Sequence, residues 1–121
     1  MLIAAELSKI LDPHKISDSL IDRHAHAADA GFYFLLPQAI VFPDCLADII
    51  ALFGFCTEKK IPLTFRAGGT SLSGQSITDG ILVDISRSYK KIQPIENGRQ
   101  VYIQPGAIGA HVNYALQKYG T

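Results

Sequence analysis

The stretch PLTFRAGGTSLSGQ, residues 62–75, decides how the rest of the sequence is interpreted. It begins with strand-forming residues at 63–65 and continues into a loop rich in glycine, serine and threonine. Gly68 and Gly69 lack a Cβ atom, so the backbone can turn sharply there and approach a ligand closely. Successive N–H groups in such a loop converge on phosphate oxygens, and the hydroxyl side chains add donors. The stretch predicts a cradle for an anion, with Arg66 contributing charge or bracing the loop by hydrogen bonds.

Two common phosphate-binding motifs do not fit this loop. Gly69 and Gly74 have the glycine spacing of a P-loop, but Gln75 stands where that motif needs a lysine for the β and γ phosphates. The Rossmann pattern G-x-G-x-x-G is absent, and no predicted helix clearly starts inside the loop. The alternative without a ligand is a flexible surface turn, which the ordered patterns on both sides of the loop disfavour.

Strand and helix patterns alternate around the loop. Residues 39–42 form an apolar strand-like run closed by Pro43, and the run 81–85 predicts a buried strand after the loop. Asp44 is the expected N-cap of a helix between residues 39–42 and 63–65. Apolar residues recur there at helical spacing and predict one buried face: Leu46, Ile49, Ile50, Phe53 and Cys56. Strand, helix and strand with short connections predict a parallel βαβ unit.

Weaker patterns lie at both ends of the chain. Residues 2–11 have helical spacing, and residues 17–31 predict a loop with at most one short helix. Two strands within residues 92–104 are hinged at an Asn-Gly dipeptide, a strong turn signal. A last helix is expected over residues 108–119, with Gly120 as its terminator.

These patterns define the expected organisation of the chain. Residues 1–37 form an N-terminal helix and a lead-in segment, and residues 38–121 form the first lobe of a domain. The fold class is α+β, with a small, mainly parallel sheet flanked by helices. Only four or five short strands are present and the sequence stops just after a helix, so we expect the domain to continue in a longer protein.

Composition limits the partners. Apolar residues make up 48% of the 121 residues and charged residues 18%, which favours a packed core. Lys plus Arg equals Asp plus Glu at 11 each, so no global field attracts nucleic acid or anionic lipid, and no nucleic-acid partner is expected. We expect no signal peptide and no transmembrane segment.

Cysteines and histidines carry little functional signal. Cys45 and Cys56 lie on one predicted helix and cannot pair there, which predicts reduced, partly buried thiols and a cytoplasmic protein. His24 and His26 form an H-x-H pattern, but a further ligand at fixed spacing is missing. We therefore expect solvent-exposed histidines and no metal site. Of the remaining polar candidates, His111 is expected to lie on a helix surface and Asp84 to brace a turn.

The order and spacing of five blocks resemble a known flavin family. The blocks are P-Q-A-I-V-F-P from Pro37, the following helix, the glycine-rich stretch 62–75, G-I-L-V-D-I-S-R from Gly80, and V-Y-I-Q-P-G from Val101 with its closing helix. Together they resemble the FAD-binding domain of the vanillyl-alcohol oxidase and p-cresol methylhydroxylase superfamily. More narrowly, they are similar to D-lactate, glycolate and D-2-hydroxyglutarate dehydrogenases. A shorter similarity at residues 28–33 points to large members with a fused C-terminal iron–sulfur segment.

The resemblance implies a site for FAD. The glycine-rich loop would wrap the pyrophosphate, Pro43 would lie near the adenine, and Pro105 and Gly106 would approach the flavin. Thr70 stands where covalent relatives carry a tethering histidine, so FAD is expected to be non-covalent. The residues that the resemblance assigns to the cofactor are Pro43, Arg66, Ala67, Gly68, Gly69, Thr70, Ser71, Leu72, Ser73, Gly74, Gln75, Pro105 and Gly106.

The resemblance also implies an activity for the complete protein. It would oxidise a small D-2-hydroxy acid by hydride transfer to the flavin, with an electron acceptor as second partner, in the cytoplasm or at the inner membrane face. The family's second FAD segment and substrate domain are absent from these residues, so no catalytic residue is assigned. The chain alone is expected to be inactive and to self-associate. Two alternatives remain: a non-catalytic nucleotide- or anion-binding module, and another oxidase of the same fold.

Overall fold

The runs that flank the glycine-rich loop form the centre of a four-stranded sheet in the computed structural model, which describes residues 2–120. In chain order the strands are β1 (Ile16–Ser17), β2 (Ala39–Val41), β3 (Leu63–Arg66) and β4 (Ile81–Asp84). Their spatial order is β1–β2–β4–β3, where β2, β4 and β3 run parallel and β1 is antiparallel to β2. The α+β class with a mainly parallel sheet is confirmed, and β4 lies between the two strands of the predicted βαβ unit.

A separate two-stranded antiparallel sheet follows. Its strands are β5 (Ile92–Ile95) and β6 (Gln100–Ile103), joined by a 3₁₀ turn at Glu96–Gly98. The predicted Asn-Gly hinge is confirmed, because Asn97 and Gly98 both have left-handed backbone, with φ of 55° and 81°.

Four helices accompany the sheets. They are α1 (Leu2–Leu7), α2 (Leu20–Ala25), α3 (Leu46–Lys59) and α4 (Gly109–Leu116). Helix α1 is shorter than the helical pattern predicted, since its chain continues as turns that still bury Leu11. Helix α2 is the one short helix expected before residue 31, whereas β1 is too short to give a sequence pattern. Gly120 terminates the last helical turn in left-handed conformation, as predicted.

Helix α3 buries a different face from the predicted one. Leu52 and Cys56 are buried, whereas Leu46, Ile50 and Phe53 are 69%, 63% and 54% exposed. The predicted stripe is therefore wrong for those three residues.

A part-buried ion pair accounts for this orientation of α3. The Asp48 carboxylate lies on the buried face, 2.8 Å from the Lys15 ammonium, and also accepts the backbone N–H of Asp44 at 3.1 Å. Cys45, and not Asp44, occupies the N-cap position. The polar contacts at the first turn thus fix which side of α3 meets the sheet.

The core lies between α1, α3 and one face of the sheet. It is formed by Leu7, Leu11, Ala39, Val41, Leu52, Cys56, Ile81, Val83 and Ile85. Ile40 and Leu82 point to the opposite face and are also fully buried, so β2 and β4 are covered on both sides. The carboxyl ends of the parallel strands are consequently held in fixed positions at one edge of the sheet.

Two further findings concern the cysteines and the helix lengths. Both thiols are free, but Cys45 is exposed, contrary to the expectation of partial burial. Burial raises the pKa of the Cys56 thiol, which disfavours its nucleophilic thiolate form. Within residues 2–120, no helix combines the length and apolar character needed to cross a membrane.

The orientation of α3 can be tested with a matched pair of variants. Leu52→Ala should lower the free energy of unfolding by about 3 kcal/mol, because it opens a cavity in the core. Ile50→Ala should change it by less than about 0.5 kcal/mol, because the side chain is largely in solvent. Urea unfolding followed by circular dichroism measures both. Equal losses, or a larger loss for Ile50→Ala, would contradict this packing.

Candidate functional site

The glycine-rich loop leaves the carboxyl end of β3 and returns to the sheet at the start of β4. Pro43 follows β2 and Ser86 follows β4, so both lie at the carboxyl edge of the parallel strands. In open sheets with parallel strands, ligands commonly bind outside this edge. The topology therefore places the predicted loop where a ligand is expected.

Two glycines of the loop are required by backbone conformation. Gly69 and Gly74 have φ of 63° and 74°, in the left-handed region that side chains disfavour. A Cβ atom on Gly69 would lie 1.8 Å from Nη2 of Arg66, so the guanidinium lies directly across this glycine. A Cβ atom on Gly68 would meet only the Thr70 side chain within 4 Å, which leaves the backbone open on that side.

Arg66 braces the loop by hydrogen bonds to another part of the chain. Its Nη1 donates to the carbonyl oxygens of His26 and Ala28, both at 3.1 Å. Of the two roles that the sequence left open, the structure shows the bracing one. The guanidinium connects the loop to the chain that follows α2.

A second brace comes from residues 28–35, which we call the flanking segment. The backbone N–H of Ala30 donates to the carbonyl of Ser71 at 3.0 Å. The Asp29 carboxylate accepts the backbone N–H of Gly31 at 2.8 Å, and this bond together with weaker hydroxyl contacts holds the pKa of Asp29 below its ordinary value. Sequence reasoning assigned no bracing role to this segment. The available signal was the Asp-x-Gly pattern of an Asx turn.

The flanking segment also packs closely against the loop. A Cβ atom on Gly31 would lie 2.8 Å from the carbonyl oxygen of Leu72, and one on Gly74 would lie 3.2 Å from the Tyr33 ring. A hollow of about 280 Å³ on this side is lined by Tyr33, Phe34, Leu35, Ser73, Gly74 and Ile77. Part of the predicted site therefore faces the flanking segment.

The distal part of the loop is stabilised by its own side chains. The Ser71 hydroxyl donates to the side-chain oxygen of Gln75 and accepts the backbone N–H groups of Ser73 and Gln75 at 3.3 and 3.2 Å. The Gln75 side chain therefore makes a hydrogen bond within the loop. These contacts close residues 71–75 into a compact turn.

A cleft of about 480 Å³ lies on the other side of the loop. It is lined by Ala67, Gly68, Thr70, Ser86, Lys90, Pro105, Gly106, Ala107 and Ile108. Five predicted site residues meet here, from two parts of the sequence that are more than thirty positions apart. The first part contributes Ala67, Gly68 and Thr70, and the second contributes Pro105 and Gly106. Pro43 is not among the lining residues, and its side chain is fully buried. Sequence reasoning missed Ser86 and Lys90; the signal for them was their position after β4, the parallel neighbour of β3.

Gly106 is required by packing. Its N–H donates to the carbonyl of Tyr89 at 2.7 Å, and an added Cβ atom would lie 2.6 Å from that oxygen and 2.7 Å from the carbonyl oxygen of Ile85. This contact fixes the start of the chain into α4 against the turn after β4. It sets one wall of the cleft.

Asp84 and His26 form a polar contact beside the cleft. Asp84 Oδ2 lies 3.2 Å from Nε2 of His26, while Oδ1 accepts the backbone N–H and the hydroxyl of Ser86 at 2.8 and 2.6 Å. Burial would raise the pKa of Asp84, but the hydrogen bonds from Ser86 and His26 hold it below its ordinary value. The predicted bracing role of Asp84 is confirmed.

The expected solvent exposure of the histidines is confirmed except at His26. His14, His24 and His111 are exposed, whereas His26 is half-buried, with Nδ1 2.8 Å from the carbonyl oxygen of Asp22. Its position at the C-cap of α2 turns the ring toward the end of β4. No sequence pattern marks that long-range contact.

One cluster has the residue types of a metal site. Asp44, Cys45 and Asp48 bring ligand atoms within 4.8 Å of one another. The Lys15 ammonium lies 2.6 Å from the Asp44 carboxylate and 2.8 Å from that of Asp48. The Lys15 ammonium thus bridges the two carboxylates and offsets one of their two negative charges.

The glycine-rich loop lies at the carboxyl edge of parallel strands and lines a cleft, an arrangement that is typical of nucleotide-binding domains. The family described as FAD binding domain matches residues 37–121, and the chain belongs to this family. The membership expected from the residues is thereby confirmed.

Relatives in sequence have related names. The chain is 40% identical over 110 residues to D-2-hydroxyglutarate dehydrogenase of Pseudomonas putida, covering 88% of the chain and 11% of that protein. It is 27% identical over 121 residues to glycolate oxidase subunit GlcD of Bacillus subtilis, covering 98% of the chain and 26% of that protein. The chain thus spans between about a tenth and a quarter of the length of these relatives.

Solved structures share the fold. An alkyldihydroxyacetonephosphate synthase superposes with a TM-score of 0.78 at 18% identity, covering 98% of this chain and 25% of that one. The 6-hydroxy-D-nicotine oxidase of Arthrobacter nicotinovorans gives 0.71 at 23% identity, covering 87% of this chain and 24% of that one. These similarities show that the chain shares the fold of those proteins, and they carry no argument about its substrate.

The packing role of Gly106 can be tested against a nearby glycine. Gly106→Ala should lower the free energy of unfolding by about 2 kcal/mol, because the methyl group collides with two backbone carbonyls. Gly109→Ala should leave it unchanged or raise it by up to about 1 kcal/mol, because its Cβ would meet nothing within 4 Å and alanine favours helix. Thermal or urea denaturation of both variants is the measurement. Similar stabilities for the two would refute the close approach at Gly106.

Proposed function

We propose that this lobe binds FAD without a covalent bond in a flavin-dependent dehydrogenase that oxidises a small D-2-hydroxy acid. The family membership supports the cofactor, and the names of the sequence relatives support the reaction. The higher identity to D-2-hydroxyglutarate dehydrogenase favours a substrate of that type.

The residues present fit the diphosphate of a dinucleotide. Such a group is bound by backbone N–H groups that approach it closely, which requires a loop free of obstructing side chains. Gly68 is open on the cleft side, and Gly69 turns the chain in a left-handed conformation. The amino end of α4 begins just after Ile108, another wall of the cleft, and its free N–H groups favour an anion.

The cleft is the observation that carries the proposal. It joins the start of the glycine-rich loop, which is expected at the diphosphate, to Pro105 and Gly106, which are expected at the flavin. An isolated phosphate site would not require the second part. A long ligand that extends from the loop toward α4 does.

The residues of this chain bind and orient the cofactor. Arg66 and the flanking segment hold the loop in its binding conformation, and Asp84 fixes the Ser86 hydroxyl at the cleft. Thr70 also lines the cleft and offers a hydroxyl in place of the histidine that tethers FAD in covalent relatives. When bound, the flavin supplies the two-electron acceptor for the oxidation of the hydroxy acid to the keto acid.

The proposal predicts that the complete protein carrying these residues is yellow when purified. Acid precipitation should release intact FAD into the supernatant, because Thr70 stands where covalent relatives carry the tethering histidine. Under anaerobic conditions D-2-hydroxyglutarate should bleach the flavin absorbance, and L-2-hydroxyglutarate serves as the matched control.

Each part of the proposal can fail separately. A colourless protein that stays colourless after addition of FAD would exclude the cofactor. Flavin that remains on the precipitated polypeptide would exclude only the non-covalent mode. Bound FAD that no 2-hydroxy acid reduces would exclude the reaction and favour a different oxidase of this fold.

A further inference from the structure

The loop itself presents no uncommitted positive charge to the cleft. Gln75 occupies the position where a P-loop would carry its phosphate-binding lysine. Arg66 is directed at the carbonyl oxygens of His26 and Ala28. A diphosphate bound by the loop backbone would therefore lack a cationic partner from the loop.

Lys90 supplies a cation from a different part of the chain. It lines the cleft together with Gly68 and Thr70 of the loop, and it is the one charged residue among the lining residues that the structure describes. Its ammonium makes no hydrogen bond or ion pair with any of residues 2–120. None of the residues that line the cleft is acidic, so Lys90 is the only formal charge on its wall among the described residues.

The backbone around Lys90 is held in place by packing. Tyr89 donates its N–H to the carbonyl of Ile85 at 3.1 Å, and its own carbonyl accepts the N–H of Gly106 at 2.7 Å. Lys90 follows directly and donates its N–H to Ser88 at 3.1 Å. The base of the lysine side chain is therefore fixed at the wall of the cleft, while its ammonium is free to meet a ligand.

We propose that Lys90 is the cationic partner of the cofactor diphosphate. It would serve here as the phosphate-binding lysine serves in a P-loop. The inference rests on the proposed binding of FAD. Lys90 lines the same cleft as Gly68 and Thr70 of the loop and Ile108, which directly precedes α4. A charge-assisted hydrogen bond from an ammonium to a phosphate oxygen is about twice as strong as a neutral one, so its loss should be measurable.

The neighbouring lysine provides a matched control. Lys91 lines a separate hollow with Gln93, Tyr102, Ile103 and Gln104, and its backbone N–H donates to the side chain of Gln104 at 2.9 Å. It carries the same charge, one residue along the chain, and is not among the residues that line the cleft. Replacing it changes the net charge equally without touching the site.

The test measures FAD affinity in the complete protein after the flavin has been removed. Lys90→Gln, Lys90→Arg and Lys91→Gln are titrated with FAD, with flavin fluorescence as readout, at low salt and at about 1 M salt, where the screening length is about 3 Å. Lys90→Gln should raise the Kd at low salt about tenfold or more, and the difference should shrink at high salt. Lys90→Arg should restore most of the affinity, and Lys91→Gln should match the unmutated protein.

A competition arm assigns the effect to the phosphates. ADP and adenosine compete with FAD for the unmutated protein and for Lys90→Gln. ADP should lose about the same factor as FAD, whereas adenosine, which has no phosphate, should compete equally well with both proteins.

The outcomes distinguish this inference from the function on which it rests. If the unmutated protein binds FAD and Lys90→Gln binds it equally well, or if Lys91→Gln weakens binding as much, the role of Lys90 is overturned and the FAD site stands. An equal loss for ADP and adenosine overturns it as well. If the unmutated protein binds no FAD, both proposals fail.

Discussion

The Arg66 guanidinium lies across the backbone of Gly69 and donates to the carbonyl oxygens of His26 and Ala28. This contact ties the end of β3, the turn of the loop and the chain after α2 into one unit. A side chain at Gly69 would displace the guanidinium, so the left-handed turn and the brace depend on each other. The loop is consequently preformed, and ligand binding need not supply the free energy to order it.

This arrangement separates support from binding. The flanking segment and the turn at residues 71–75 hold one side of the loop, whereas the cleft on the other side is lined by the start of the loop, by Ser86, by Lys90 and by residues 105–108. We propose that a chain of zero net charge binds an anion in this way, because backbone N–H groups and a single ammonium act locally. The glycine-rich loop follows β3, and Ser86 follows β4. Because these two strands are parallel neighbours, both parts of the site lie at the same edge of the sheet.

Sequence reasoning predicted the parts that depend on local pattern. The central strands, the loop and the Asn-Gly hinge follow from periodicity and from residues with special backbone freedom. It failed at Leu46, Ile50 and Phe53 because a long-range ion pair between Lys15 and Asp48 decides how α3 is rotated. Family resemblance identified Pro105 and Gly106, but the bracing contacts of Arg66 and the presence of Lys90 in the cleft required the tertiary structure.

Amide hydrogen exchange of the complete protein, without and with FAD, tests the central claim most directly, because it reports which backbone groups the cofactor protects. We expect FAD to slow exchange in peptides that cover residues 67–70, 86–90 and 105–108, with little change on the exposed face of α3. Stoichiometric FAD binding with unchanged exchange in the glycine-rich loop, and protection confined to other regions, would contradict the assignment of this loop as the cradle of the cofactor.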